Sequence, residues 1–318
     1  MKILANDGIA QAGIDALEAV GYEVITNNVP QDQLESYINE NGIDVILVRS
    51  ATQVRAELID ACPSIKIIGR GGVGMDNIDV DYAREQGLSV INTPAASSHS
   101  VAELVFAHFF GMARFLHDSN RNMPLEGESN FKGLKKSYAK GTELLGKTLG
   151  IIGFGRIGQE TAKIGLGLGM KVVAFDLFIK EQTLSLDFFD GQKVDFNIET
   201  VSKEEVLKQA DFLSLHVPAQ DEYVISDKEI AMMKSGAFLV NAARGGVVNE
   251  VALVAALDAN KLNGAALDVF EKEPTPEVQL LMNPYLSLTP HIGGATVEAQ
   301  SRIGTELASQ IISIFKEL

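Results

Sequence analysis

The chain has 318 residues, of which 46% are hydrophobic and 22% are charged. This balance is typical of a globular protein with a substantial core and excludes a disordered chain. The formal net charge of −15 argues against nucleic acid or an anionic membrane as a general partner, so any anionic ligand has to meet a local basic cluster.

The cysteine content and the N-terminus indicate the compartment. Cys62 is the only cysteine, so no intramolecular disulfide is possible, which suits a reducing cytosol. Residues 1–5 lack the basic and long apolar regions of a signal peptide, and the longest apolar run, 101–115, is broken by polar and charged residues. We therefore predict a cytoplasmic protein with no membrane partner and with Cys62 as a buried, inert thiol.

The first 95 residues or so alternate between short β-like runs and helix-like stretches. The strand-like runs fall at 2–5, 22–26, 44–48, 66–69 and 88–92. Helical spacing falls between them, at 10–19, 31–39, 56–61 and 80–86. Such alternation predicts a parallel sheet with helices on both faces, and so a small doubly wound domain.

A long apolar helix is predicted next, from Ser100 to Arg114 with Ser98 as its N-cap. The following stretch, 120–146, is polar and contains glycine, and it has no clear periodicity. Its basic residues are Lys132, Lys135, Lys136 and Lys140. A connection of this length is usually functional or lies in an interface.

The strand and helix rhythm then resumes in the pattern of a six-strand dinucleotide-binding domain. The predicted strands are 148–152, 171–175, 212–215, 237–241, 264–267 and 286–288. Residues 177–200 are less regular, and their Phe188 and Phe189 are interpreted as core or flap residues. The last segment, 297–318, is an amphipathic helix that we expect to return to the first domain.

A glycine motif lies between the strand 148–152 and the helix-like stretch that follows. Gly153, Gly155 and Gly158 have the G-x-G-x-x-G spacing, which permits a tight turn, a close approach of backbone N–H groups to a pyrophosphate, and close packing of helix on strand. Asp176 follows the next strand and can accept hydrogen bonds from a ribose diol, which favours NAD over NADP. A glycine turn without a ligand is the plainer alternative, but strand, turn, helix and acid together predict NAD binding.

Three residues late in the chain could carry chemistry: Arg244, Glu273 and His291 each follow a predicted strand, where open α/β sheets place their ligands. A histidine exchanges protons, a carboxylate fixes and stabilises its protonated ring, and an arginine grips a carboxylate. These three functional groups together suit hydride transfer at C2 of a 2-hydroxy acid. Taken singly, the three residues have plainer interpretations as an ion-paired arginine, a solvated acid and a satisfied loop histidine.

The remaining histidines predict little chemistry. His99, His108 and His117 are nine residues apart and have no metal-ligand partner three or four residues away. His216 is expected to shape the rim of the cofactor site. No metal is predicted.

Several sequence blocks carry a family resemblance. They are 48–52, 69–77, 92–94, 141–144, the glycine motif, and the blocks that contain Arg244, Glu273 and His291. On these blocks the chain resembles the D-isomer-specific 2-hydroxyacid dehydrogenases over nearly its whole length. The resemblance implies two doubly wound α/β domains, with a Rossmann NAD-binding domain (97–291) inserted into a flavodoxin-like substrate-binding domain (1–96 and 292–318). It also implies a homodimer, with Ser100 to Arg114 and the basic stretch at its interface.

Residue roles also follow from the resemblance. It implies that Arg244 binds substrate, that Glu273 tunes His291, and that His291 is the general acid/base. The implied cofactor-binding residues are Gly153, Gly155, Arg156, Ile157, Gly158, Asp176, His216, Val217, Pro218, Ala242, Asp268, Gly293 and Gly294. The implied substrate-binding residues are Arg49, Arg70, Val73, Gly74, Ser97 and, from the partner subunit, Lys135.

The run from His291 to Gln300 is the most subfamily-specific block. It implies oxidation of 3-phospho-D-glycerate to 3-phosphooxypyruvate, the entry to serine synthesis, with Arg49, Arg70 and Lys135 as cations for the phosphate. An equally open interpretation is that Lys135 and Lys136 are solvated surface lysines. Ser97 stands where the family often has asparagine. Because serine is shorter and lacks the amide donor, a contact of Ser97 with the substrate is in doubt. Because the sequence ends at Leu318, a C-terminal regulatory domain and feedback inhibition by serine are not expected.

Two other functions stay open at this point. The same chemistry could act on hydroxypyruvate, glyoxylate or D-lactate, which a panel of 2-keto acids would reveal. Alternatively, the chain could be a dinucleotide-sensing interaction protein, since relatives of the family act as corepressors. Such a protein would bind NADH with little turnover.

Overall fold

A computed structural model describes residues 1–317 and shows two compact units. The first unit contains Met1–Ser100 together with the chain from Gly294 onward, and the second contains Val101–Gly293. The second unit is therefore inserted into the first. The predicted boundaries, after residues 96 and 291, lie a few residues before these divisions.

The first unit is built from alternating strands and helices. Its elements are β1 (Lys2–Ala5), α1 (Gln11–Glu18), β2 (Glu23–Ile25), α2 (Leu34–Asn41), β3 (Val45–Val48), α3 (Ala56–Ala61), β4 (Ile67–Arg70), α4 (Val80–Glu85) and β5 (Ser89–Asn92). The strands form a parallel sheet in the order β2-β1-β3-β4-β5. This is the flavodoxin-like order, so the predicted fold of this unit is confirmed.

Strand β3 shows why a parallel sheet forms here. All four of its residues are buried and apolar. Val45 and Leu47 join one apolar cluster, whereas Ile46 and Val48 join another. Since successive side chains of a strand point to opposite faces, the sheet has an apolar core on each face.

The second unit starts within a long helix and carries the larger sheet. The elements that follow β5 are α5 (Ser98–Ala113), α6 (Leu116–Glu126), α7 (Phe131–Ser137), β6 (Thr148–Ile152), α8 (Arg156–Gly167), β7 (Lys171–Phe175), β8 (Glu181–Asp187), β9 (Lys193–Glu199), α9 (Lys203–Gln209), β10 (Phe212–Leu215), α10 (Asp227–Met232), β11 (Ala237–Asn241), α11 (Glu250–Asp258), β12 (Leu262–Leu267), α12 (Val278–Leu281) and β13 (Leu286–Leu288). Six strands pair in parallel in the order β13-β12-β11-β10-β6-β7, as the sequence predicts. The strand order reverses between β6 and β10, and open sheets of this kind bind ligands at that point.

Two segments are more regular than predicted. Residues 120–146 contain most of α6 and all of α7, where Tyr138 joins the two helices by donating to Asp118 and accepting from Asn122. Residues 177–200 form an antiparallel hairpin of β8 and β9. The alternation of apolar and polar residues along β8 and β9 is weak, because Leu184 is the only fully buried residue of these two strands. Phe188 and Phe189 are exposed at its tip, which excludes the core interpretation.

The predicted helix boundaries also need a correction. Ser98 is the first residue of α5 and not its N-cap, and α5 ends at Ala113. Phe115 lies just beyond, with φ of 54°, a left-handed conformation that ends a helix.

The last helix, α13 (Val297–Glu317), belongs to the first unit, as expected. It packs on α1 where Gly13 meets Gly304: a Cβ on Gly13 would lie 2.7 Å from the Gly304 carbonyl oxygen. The final residue of the predicted helix, Leu318, lies outside the described residues. Within residues 1–317 no helix is long and apolar enough to cross a membrane.

Candidate active site and cofactor site

The glycine turn joins β6 to α8 in the second unit. Gly153 has φ of 93°, and a Cβ there would lie 2.4 Å from the carbonyl oxygen of His216, which follows β10. A Cβ on Gly158 would lie 2.2 Å from the Gly153 carbonyl oxygen. These two glycines are therefore required by the protein itself, one for the turn and one for packing of helix on strand.

Gly155 has a different reason to be glycine. It precedes Arg156 and Ile157, which begin α8, and a Cβ on Gly155 would have no neighbour within 4 Å. The space that a side chain would occupy thus remains open in front of the N-terminus of a twelve-residue helix. An open cradle at a positive helix end fits the pyrophosphate of a dinucleotide.

Asp176 is the acid at the end of β7. Its carboxylate accepts hydrogen bonds from the backbone N–H groups of Phe154 at 2.7 Å, Phe178 at 2.8 Å and Ile179 at 3.1 Å. Burial acts to raise the pKa of Asp176, but the three N–H donors outweigh it and hold the pKa below its usual value. Asp176 is therefore an ionised acceptor bonded to the glycine turn, where it can also meet a ribose.

His216 lies across the turn from Gly153. Its Nε2 is 2.9 Å from the hydroxyl of Ser214, and its Nδ1 is buried. Burial lowers the pKa of His216 to about 3, so the ring stays neutral. A Cβ on Gly153 would also lie 3.0 Å from Cγ1 of Val217. The place of His216 and Val217 at the rim of the cofactor site stays a prediction.

The predicted acid and base are in direct contact. Nδ1 of His291 lies 2.9 Å from Oε2 of Glu273, and both side chains are partly exposed. The other carboxylate oxygen, Oε1, accepts from the backbone N–H of Phe270 at 3.0 Å. Glu273 is therefore fixed at both oxygens and orients the His291 ring with Nδ1 toward the carboxylate. The general acid/base role of His291 stays a prediction.

Asp268 holds the backbone just after His291. It is buried, and its carboxylate accepts from the backbone N–H groups of Ile292 and Gly293, each at 2.8 Å, and from the hydroxyl of Thr289 at 2.6 Å. The segment that carries His291 is thus tied to the end of β12. The contact predicted between Asp268 and a nicotinamide stays a prediction.

Arg244 lies in the turn after β11, close to Ala242. Its carbonyl oxygen accepts from the side chain of Asn241 at 2.9 Å, and its Nη1 donates to the Ala243 carbonyl oxygen at 2.7 Å. A Cβ on the neighbouring Gly245 would lie 1.8 Å from the Phe270 carbonyl oxygen. The turn of Arg244 therefore packs directly on the loop that carries Glu273.

Of the other implied cofactor residues, Pro218 is exposed beyond β10. Gly294 belongs to the first unit, where a Cβ on it would lie 3.3 Å from Cβ of Ser97. In residues 1–317 no group of three or more His, Cys, Asp or Glu side chains is placed to hold a metal ion.

Three of the implied substrate residues of the first unit, Arg70, Val73 and Gly74, lie in or against one loop. A Cβ on Gly72 would lie 2.1 Å from Nη1 of Arg70, so the guanidinium lies against the loop backbone. The carbonyl oxygen of Val73, next to Gly74, accepts from Asn92 at 2.7 Å.

Arg49 is positioned by its backbone. Its N–H donates to Asp7 at 2.6 Å, and its carbonyl oxygen accepts from Asn77 at 2.9 Å. The residue lines a cavity of about 490 Å³ in the first unit, beside Gln11 and Thr296 at the starts of α1 and α13. Ser97 is buried, and Lys135 is exposed in the last turn of α7.

Comparison with known proteins agrees with this geometry. The sequence model of the family described as "D-isomer specific 2-hydroxyacid dehydrogenase, NAD binding domain" matches residues 106–293, more than half of the chain. The chain belongs to the D-isomer-specific 2-hydroxyacid dehydrogenase family. Membership confirms NAD as the cofactor and a small 2-hydroxy acid as the substrate of this dehydrogenase.

Individual relatives differ in what their names describe. The chain is 44% identical over 301 residues to a hydroxypyruvate reductase of Thermotoga maritima, covering 93% of this chain and 91% of that protein. It is 39% identical over 319 residues to a D-3-phosphoglycerate dehydrogenase of Methanocaldococcus jannaschii, covering 99% of this chain but only 58% of that protein. A crystal structure of D-lactate dehydrogenase from Aquifex aeolicus with NAD and lactic acid superposes with a TM-score of 0.76 at 28% identity, covering 100% and 96% of the two chains.

Sequence reasoning missed the contacts of one histidine. His108 is buried in α5 and hydrogen-bonds Ser287 and Thr289, the residue that donates to Asp268. No local pattern could have revealed this, because His108 and Thr289 are 181 positions apart.

Proposed function

We propose that this dehydrogenase oxidises 3-phospho-D-glycerate to 3-phosphooxypyruvate with NAD, at a site that contains His291, Glu273 and Arg244. Bound NAD supplies the nicotinamide that accepts the hydride from C2 of the substrate. Nε2 of His291 accepts the proton of the C2 hydroxyl, and Glu273 stabilises the imidazolium that results. Arg244 binds the substrate carboxylate and polarises the developing carbonyl.

The observation that carries the choice of a phosphorylated substrate is the cation in the first unit's cavity. Arg49 lines about 490 Å³ of space beside the N-termini of α1 and α13. A guanidinium and two helix N-termini favour a dianionic phosphate in a chain that is acidic overall. Arg70, against the loop of Val73 and Gly74, supplies a second cation.

The remaining assignments belong to the same proposal. We infer a cytoplasmic homodimer in which Lys135 reaches the partner subunit's substrate. The support is an exposed apolar surface on α6 and α7 that includes Leu116, Leu125 and Phe131. The proposal gives substrate binding to the first unit and NAD binding to the second.

Hydroxypyruvate is the second candidate substrate. It is favoured by the 44% identity to a hydroxypyruvate reductase that this chain covers almost completely. Hydroxypyruvate lacks the phosphate, so it would leave Arg49 without its proposed ligand.

A panel of 2-keto acids with NADH at fixed enzyme concentration tests the proposal. We expect kcat/KM for 3-phosphooxypyruvate to exceed that for hydroxypyruvate, glyoxylate and pyruvate by about 10-fold or more, the effect of one favourable charge contact. Arg49→Gln should remove this preference and leave kcat/KM for hydroxypyruvate nearly unchanged. A wild-type preference for hydroxypyruvate would establish the second candidate, and NADH binding without turnover of any acid would indicate a dinucleotide-sensing protein.

A further inference from the structure

We propose that His108 is a positioning residue for the reaction, acting through Thr289 and Asp268 to hold the backbone that carries His291. This inference rests on the acid/base role proposed for His291. It assigns a task to a buried side chain in the middle of α5, whose ring nitrogens lie against Ser287 and Thr289.

The proposal is based on a continuous chain of hydrogen bonds within the second unit. Nε2 of His108 lies 3.1 Å from Oγ1 of Thr289, and Thr289 donates to Oδ1 of Asp268 at 2.6 Å. Asp268 accepts from the N–H groups of Ile292 and Gly293, each at 2.8 Å. Three side chains thus connect α5 to the two residues that follow His291.

Counting the available protons shows which group donates and which accepts in each of these hydrogen bonds. An ionised carboxylate can only accept, so the single hydroxyl proton of Thr289 goes to Asp268. The Thr289 oxygen must then accept, which places a proton on Nε2 of His108. Nδ1 of His108 accepts in turn from the hydroxyl of Ser287, at 2.9 Å.

A neutral His108 satisfies every member of this chain. Burial lowers the pKa of His108, although the charge of Asp268 acts in the opposite direction. Both ring nitrogens are therefore used in the neutral form, without an unpaired buried polar atom. A fully satisfied buried network of this kind specifies one conformation of the segments that it joins.

The backbone at His291 needs the support of this hydrogen-bond network. His291 has φ of 55°, in the left-handed region that a residue with a Cβ rarely adopts. Conformations of this kind persist only where the surroundings enforce them. Thr289 before His291, and Ile292 and Gly293 after it, are all held by Asp268. Loss of the His108 donor would leave the Thr289 hydroxyl held by Asp268 alone and would loosen this clamp.

Hydrogen–deuterium exchange of the cofactor-free full-length protein tests the clamp without any substrate. His108→Leu should raise the exchange rates of the Ile292 and Gly293 amides about 10-fold, whereas exchange in the β6–α8 turn should not change. His108→Gln, whose amide nitrogen can replace Nε2 as a donor to Thr289, should remain close to wild type. Equal exchange in wild type and His108→Leu would overturn the proposal.

Thr289→Val is a second way to break the chain if His108→Leu does not fold. It should raise the same two exchange rates. Where both single variants fold, the double variant His108→Leu/Thr289→Val should show no further increase. Additive increases would mean that His108 does not act through Thr289, which contradicts the proposal.

Activity completes the test with whichever 2-keto acid the wild type reduces. We expect kcat of His108→Leu to fall about 10-fold with a smaller change in the NADH Kd, and His108→Gln to recover most of the loss. Faster exchange with unchanged kcat would show a clamp without a positioning role and would overturn the inference. If the wild type reduces no acid, the proposed function fails, while the exchange rates still decide whether the clamp exists.

Discussion

In the second unit, Nδ1 of His291 lies 2.9 Å from Oε2 of Glu273, and the other carboxylate oxygen is held by the backbone N–H of Phe270. The carboxylate therefore has a fixed orientation before any ligand binds. This pair determines which ring nitrogen of His291 carries a proton and which one remains for the substrate.

Glu273→Gln tests that relationship. The glutamine amide can donate to Nδ1, which would favour the tautomer with its proton on Nε2 and block proton acceptance from the hydroxyl. We expect kcat to fall about 100-fold while NADH affinity is retained. Glu277→Gln is the matched control, because the Glu277 carboxylate pairs with Lys272 and not with His291. Equal kcat values for Glu273→Gln and Glu277→Gln would contradict the assignment.

Gly155 and Gly158 separate cofactor contact from folding. A Cβ on Gly155 would have no protein neighbour within 4 Å, but it would occupy the space assigned to the pyrophosphate. Gly155→Ala should keep the wild-type Tm and raise the NADH Kd about 10-fold or more. Gly158→Ala should lower Tm, because its Cβ would lie 2.2 Å from the Gly153 carbonyl oxygen. Thermal unfolding and NADH fluorescence titration measure both quantities, and an unchanged NADH Kd in Gly155→Ala would place the pyrophosphate elsewhere.

Asp176 should set the preference between the two dinucleotides. The backbone donors that lower its pKa keep it ionised at neutral pH, where it would repel a 2′-phosphate. Asp176→Asn removes the charge, so the ratio of the NADPH Kd to the NADH Kd should fall about 10-fold. Asp195→Asn, on the exposed face of the hairpin, serves as the control. A ratio that does not move would mean that Asp176 only bonds the turn.

Glu250 predicts a pH dependence of stability. Its buried carboxylate accepts from the backbone N–H of Glu271 at 2.8 Å. Burial raises its pKa above the ordinary value of 4.5, and the charges of Glu271 and Glu277 add to the effect. A raised pKa in the folded state means that the folded protein binds the proton more tightly than the unfolded chain. The stability due to Glu250 is therefore present at low pH and is lost as pH rises from the ordinary value through the raised one.

Glu250→Gln keeps an acceptor oxygen and carries no charge. Its Tm should exceed that of the wild type by about 1–3 °C at pH 8, and the difference should shrink toward pH 4. Glu204→Gln, in the exposed first turn of α9, should show no such gain. Parallel curves of Tm against pH for wild type and Glu250→Gln would refute the raised pKa of Glu250.

The sequence predicts those parts of the fold whose causes are local. The strands of both sheets are short apolar runs separated by helical spacing, and the glycine motif marks the turn after β6. The helices α6 and α7 were missed because side chains distant in sequence, such as Tyr138 and Asp118, hold them together. The β8–β9 hairpin was missed because little of it is buried, so its alternation carries little hydrophobic signal.

In the candidate site, too, the features with local causes can be predicted from the sequence, whereas those that depend on tertiary contacts cannot. Glu273 and His291 could be found because their residue types follow strands at the ligand-binding edge of an open sheet. The contact of His108 with Thr289, and the triple use of Asp268, depend on tertiary packing and have no periodic signature. The proposed preference for a phosphorylated 2-hydroxy acid is equally hidden, since the proposal rests on Arg49 and Arg70, which no periodic pattern connects with the site of His291.

Turnover by His291→Gln tests the central claim most directly. NADH-dependent reduction of 3-phosphooxypyruvate, or of whichever 2-keto acid the wild type prefers, should fall about 1,000-fold in kcat, because the glutamine amide cannot exchange the proton. The NADH Kd, measured by fluorescence on the same preparation, should stay within about two-fold of wild type. His117→Gln, an exposed substitution on α6, should behave as wild type in both measurements. Near-normal kcat in His291→Gln with an unchanged NADH Kd would contradict the account.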